Sequence, residues 1–135
     1  MELKNKWIYL PWLKNNDLDH LIHSEDLKHL PIDGLGIAKC VNEEENGYIK
    51  IKIKELELRV KKKGIIKLLP IPAYEWNDSI ILLKKQKLGK VLDFMWHFKD
   101  EKYYYFVEIE GNKLNKRLTD SELKKIETPY NKELR

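Results

Sequence analysis

With a single cysteine, Cys40, the chain can close no disulfide within itself, so its stability must come from burial and hydrogen bonding. That scarcity of thiols suits a reducing compartment. Long apolar runs are also missing. No stretch approaches the ~20 apolar residues needed to cross a bilayer, and the opening "MELKNKWIYLPW" lacks the apolar run of a signal peptide. A cytoplasmic protein is the expectation. Nor does one sign of charge dominate: 26 Lys and Arg face 22 Asp and Glu, for a net charge of +4. Divided at Ala73, each part holds 13 basic and 11 acidic residues, so each is +2. A strong nucleic-acid binder concentrates its positive charge, and this even split speaks against one. HExxH, paired cysteines, GxSxG, a P-loop and GxGxxG are all absent, so no motif points to an enzyme and no cofactor is expected.

What the sequence does have is alternation. In "YIKIKIKELELRV" (48–60), Ile49, Ile51 and Ile53 alternate with Lys50, Lys52 and Lys54, the period of a half-buried strand. After Glu55 the parity flips to Leu56, Leu58 and Val60. A two-residue turn at Lys54–Glu55 accounts for the flip and predicts the pairs Ile53–Leu56, Ile51–Leu58, Ile49–Val60 and Lys52–Glu57. The lysine row then reads as the wet face of a strand, although it could also track phosphates.

Residues 89–118 carry two further turn signals, Lys99–Lys102 and Gly111–Asn112. Folding at both predicts Phe98 opposite Tyr103, Trp96 opposite Tyr105, Phe94 opposite Val107 and Leu92 opposite Ile109. Across the second turn, Ile109 meets Leu114, Glu110 meets Lys113 and Tyr105 meets Leu118. One face of a three-stranded meander becomes apolar, with pattern and turn chemistry in agreement. Thr119 and Glu122 have capping-box spacing and predict a short helical turn.

Two segments, "HSEDLKHL" (23–30) and "TDSELKKI" (119–126), are alike. Each half also has a glycine opening a strand (Gly36, Gly89), followed by a strand led by tyrosine (Tyr48, Tyr103). These features indicate a degenerate repeat of roughly 55 residues. Its seam is "PIPAYEW" (70–76), where two prolines break any ladder. The expected organisation is an N-terminal strand and helical segment over 1–29, one barrel over 30–73, a second over 74–128 and a tail at 129–135.

Residues 76–126 resemble SH3-like small barrels of the Tudor type. The resemblance lies in a turn and strand (Asn77–Leu83), Gly89 and Val91 opening a second strand, and a Tyr105-x-Val107 strand. A basic third strand (Lys116, Arg117) and a closing turn with Leu123 complete it. Residues 30–72 follow the pattern more loosely. The resemblance implies a mainly-β fold of two tandem SH3-like barrels, of a kind that binds peptides, modified side chains or nucleic acid. It does not name the ligand.

Four groups of residues are candidates for function. The first is the meander's second face, with Met95, His97, Tyr104, Phe106 and Arg117, where a fully solvated face would be polar. Phe106 is expected between Met95 and Arg117, in cation–π reach of the arginine. Either another part of the chain covers this face, such as the first barrel or "WIYLPW" (7–12), or a partner does, and Trp12 and Trp76 could belong to either arrangement. The second group is basic: Lys50, Lys52, Lys61, Lys62 and Lys63, with Lys84, Lys85 and Lys87 in a later loop. The third is "DLDHLIHSEDLKHL" (17–30), whose His20, His23, His29, Asp17, Asp19 and Asp26 could supply metal ligands. The acidic loop 42–47 could hold a cation, though Asn46–Gly47 is a hairpin signal. The fourth is Cys40, which could pair with His97 as a nucleophile but reads as a small core residue.

The function expected is therefore non-enzymatic: an intracellular, bacterial binding or accessory protein that recognises another protein, acidic in character, through an aromatic surface framed by lysines. An inhibitor or immunity role is one form of it. A nucleic-acid-binding module is the alternative, and a metal-dependent enzyme at the histidine cluster the second alternative.

Overall fold

The structure is a computed structural model that describes residues 2–11, 20–27 and 35–126. The chain is mainly β and divides into two units, Met1–Ile71 and Pro72–Arg135. The boundary lies within the proline-bearing stretch 70–76.

In the first unit the lysine–isoleucine alternation forms β3 (Tyr48–Ile53), which pairs with β4 (Leu56–Lys61) in the expected register. Ile53 faces Leu56, Ile51 faces Leu58, Ile49 faces Val60 and Lys52 faces Glu57. The turn forms without glycine because Lys54 itself takes φ 57. The other strands are β1 (Trp7–Leu10), β2 (Gly36–Glu43) and β5 (Lys67–Leu69), in the antiparallel order β4-β3-β2-β1-β5. The expected N-terminal segment contributes its strand, β1, to this sheet. Trp7 to Leu10 form a strand between β2 and β5, because Ile8 and Leu10 complete the core with Ala38, Cys40, Ile49, Ile51, Leu58 and Val60.

The second sheet contains β6 (Ser79–Leu82), β7 (Lys87–His97), β8 (Lys102–Ile109), β9 (Asn112–Lys113) and β10 (Leu123–Lys125), in the order β10-β6-β7-β8-β9. Its inner face is the aromatic one expected: Phe94, Trp96, Tyr103, Tyr105, Val107 and Ile109 are all buried. The register differs, however. Trp96 faces Tyr103, Phe94 faces Tyr105 and Val91 faces Val107, because the turn occupies 98–101 and a bulge interrupts β7 between Val91 and Asp93. The bulge inverts the parity. Val91 and Phe94 both point inward, while Leu92 does not join the core and Phe98 sits in the turn, 48% exposed. Gly89 lies inside β7 rather than opening it.

The second turn is also one residue earlier than expected. Glu110 (φ 51) and Gly111 (φ 85) form it, so Ile109 faces Asn112 and Glu108 faces Lys113. Tyr105 and Leu118 nevertheless exchange the expected pair of backbone hydrogen bonds, at 2.7 and 2.8 Å. The capping pair at 119–122 is present as a 3₁₀ turn, with the Thr119 N–H donating to Glu122 Oε1 at 2.9 Å.

One local device appears in both units. Asn5 (φ 69) precedes β1 and Asn77 (φ 70) precedes β6. Asn5 N–H donates to Cys40 O (2.7 Å) and Cys40 N–H to Lys6 O (2.8 Å). Asn77 N–H donates to Val91 O (2.8 Å) and Val91 N–H to Asp78 O (2.9 Å). In each case the bonded residue of the long strand, Cys40 or Val91, is where the bulge begins.

Candidate binding surface

Strand alternation places Asp93, Met95 and His97 of β7, and Lys102, Tyr104, Phe106 and Glu108 of β8, on the face opposite the aromatic core. His97 pairs with Lys102, Met95 with Tyr104 and Asp93 with Phe106. The arginine contact differs from the expected one although Tyr105 pairs with Leu118 as expected. The Arg117 guanidinium lies over Tyr104, 4.1 Å from its ring centroid, not over Phe106.

Tyr104 is the centre of the group. Lys102 Nζ lies 5.4 Å from its ring centroid, and the His97 ring meets it edge-on at 5.5 Å. Its hydroxyl donates to Asp100 Oδ2 at 2.7 Å. That bond raises the Tyr104 pKa and lowers that of Asp100, which the charges of His97, Lys102 and Arg117 depress further. Neutral His97 accepts the Asp100 backbone N–H at Nδ1 (3.1 Å), while protonated His97 would instead donate from that nitrogen to Asp100 Oδ2, 3.3 Å away. Met95 remains 37% exposed beside this group, and Phe106 is half-buried. Met95, His97, Tyr104, Phe106 and Arg117 thus share one face, joined by Lys102 and Asp100. Sequence reasoning had placed those two only in a turn. Trp76 is committed elsewhere: its Nε1–H donates to Asp93 Oδ1 at 3.0 Å and its ring packs on Phe94 at 4.6 Å. Trp12 lies outside the described residues.

The lysines of the first unit do not form an uninterrupted row. Lys52 sits between Lys39 and Glu57, and Lys50 between Asn42 and Arg59. Lys61 ends β4, while Lys62 and Lys63 begin a 3₁₀ turn. Lys62 Nζ binds Glu43 Oε1 at 2.7 Å, and that bond is the main cause of a lowered Glu43 pKa. Acidic residues therefore interrupt the basic ones.

The histidine cluster is only partly described, since His29, Asp17 and Asp19 lie outside the described residues. His20 is exposed. His23 Nδ1 accepts the Glu25 N–H at 3.1 Å, and its ring packs against Tyr48 at 5.0 Å. The Asp26 carboxylate grips Arg59 through Nε and Nη2, both at 3.0 Å, and its pKa is lowered chiefly by that bond. Segment 20–27, ending in α1 (Ser24–Leu27), instead covers the edge of β4. Ile22 bridges Val60, and the His23 N–H donates to Arg59 O at 2.9 Å. Among the described residues no group of three or more His, Cys, Asp or Glu could hold a metal ion. In the acidic loop, Asn46 (φ 61) and Gly47 (φ 79) make the hairpin turn. Cys40 is fully buried and burial pushes its thiol pKa up, the opposite of what a nucleophile needs. No described helix is long and apolar enough to cross a membrane.

The chain belongs to a family of unknown function, DUF6960, whose profile matches residues 1–124. No curated protein and no solved structure matches it.

Proposed function

We propose that this is a non-enzymatic, cytoplasmic accessory protein that recognises another protein through the outer face of β7 and β8. The observation that carries the reading is the Tyr104 group. An aromatic ring, fixed at its hydroxyl and covered by Arg117 at 4.1 Å, stands beside exposed Met95. Rigid aromatics with an arginine at their centre are the usual energetic core of protein interfaces. An inhibitor or immunity protein of a bacterium is one form the role could take.

The reading extends to the fold, as two tandem SH3-like small barrels. Supporting it, in each unit the last strand pairs with the first, a 3₁₀ turn stands shortly before that last strand, and the asparagine–bulge device recurs. Binding at the lysines 50, 52 and 61–63 is the competing reading; Glu57 and Glu43 beside them weigh against a phosphate track. A gel-shift salt titration separates the two, because phosphate binding must weaken steeply with salt.

The test of the favoured reading is capture of a partner by the native chain and by the Tyr104→Ala/Phe106→Ala double variant. Capture is expected from the native chain alone. Equal capture by a folded double variant would remove the surface from consideration.

A further inference from the structure

We propose that Arg117 reads a carboxylate, and that the partner fitting this surface is an acidic segment of another protein, with an apolar side chain next to its Asp or Glu. The inference rests on the outer face of β7 and β8 being a partner-binding surface, and it names the chemistry of what docks there.

Several cations around the second sheet have an anionic mate. Lys87 pairs with Glu110 at 3.4 Å, Lys116 with Glu122 at 3.9 Å and Lys125 with Asp78 at 3.6 Å. Arg117 and Lys102 both lie against the Tyr104 ring and make no close ion pair among the described residues; Asp100 acts on them only through its charge. The nearby carboxylate, Asp100, is engaged instead by the Tyr104 hydroxyl at 2.7 Å and by His97. The Tyr104 ring lies 4.1 Å from the Arg117 Cζ, and a guanidinium so placed still carries the planar N–H fork that matches a carboxylate. Because Asp100 fixes the ring beneath it, little freedom remains to be lost when a ligand arrives.

Met95, 37% exposed and paired with Tyr104 across the strands, supplies the apolar contact beside that fork. A nucleic acid would bring a continuous row of phosphates past Asp93 and Asp100, which would repel it. A peptide bringing one or two carboxylates asks for no more cations than Arg117 and Lys102 and meets less of that repulsion.

The experiment is an NMR titration of the full chain with three probes: a blocked Glu-Phe-Glu peptide, a blocked Lys-Phe-Lys peptide and a single-stranded DNA oligonucleotide. Saturable shifts at Met95, Tyr104 and Arg117 are expected with the acidic peptide only. Arg117→Met should weaken that binding at least about tenfold, the scale of a lost charged hydrogen-bond pair. Arg117→Lys keeps the charge and loses the fork, so it should weaken binding too. No saturable response at these residues, an equal response to the basic peptide, tighter binding of the oligonucleotide there, or an unchanged Arg117→Met variant would each overturn the proposal. Should the acidic peptide fail while Tyr104→Ala/Phe106→Ala still abolishes partner capture, this inference falls and the broader reading stands.

Discussion

At the scale of single residues, partners decide what the titratable groups do. Asp26 was a candidate ligand on sequence, since an acidic residue near histidines has that chemistry. Its actual partner is Arg59, distant in sequence, and such pairing leaves no local trace. Arg59 holds Asp26 below the ordinary carboxylate range. A depressed folded pKa gives stability that is present above the unfolded value, about 3.9, and lost as the pH falls through the folded one. Asp26→Asn should therefore destabilise the chain at pH 7 and progressively less as the pH drops below about 4. Urea unfolding at both pH values measures this, and a cost independent of pH would contradict the assignment. The arginine at the binding surface was legible for a different reason. Reading Tyr105 opposite Leu118 already placed Arg117 on the outer side. Only its exact partner, Tyr104 in place of Phe106, was not legible, because a long side chain can reach a diagonal neighbour that the register does not specify.

At the scale of strands, alternation proved reliable and registers less so. The β3–β4 hairpin was legible in full because Ile49 to Val60 alternate without interruption on both sides of a two-residue turn. In β7–β8 the inward aromatics were legible, but their opposites were not. A bulge inverts parity without any residue that announces it, and Glu101 takes φ 53 in the turn although glutamate rarely does. Gly89 shows how tightly the resulting pair fits. A Cβ there would lie 2.1 Å from the Glu108 carbonyl oxygen and 2.6 Å from Ile109 Cδ1. The first of those contacts is backbone and cannot swing away. Gly89→Ala should cost about 1–3 kcal/mol, the usual scale of overpacking. A midpoint of chemical unfolding equal to the native one would refute that register.

At the scale of the molecule, the division at Ile71/Pro72 and the shared strand order rest on features spread over the chain. Pro70 and Pro72 made the seam legible. The role of Trp7 to Leu10 was not, because four apolar residues cannot say which sheet they complete. The clearest sign that the units follow one plan is the pair Asn5 and Asn77, at φ 69 and 70. Alanine in that left-handed conformation costs about 1 kcal/mol and glycine costs little. Asn5→Ala and Asn77→Ala should each lower stability by that amount, while both glycine variants stay near native. Loss from one alanine variant only, in thermal or urea unfolding, would show that the plan is not shared.

The outer face of β7 and β8 as a protein-binding surface is the claim on which the functional account depends. Its most direct measurement is photocrosslinking in cells, with a benzophenone side chain placed at Met95 or, as the comparison, at Lys52. The account predicts a discrete protein adduct from position 95 and none from position 52. No protein adduct at 95, or a nucleic-acid adduct at 52, would contradict it.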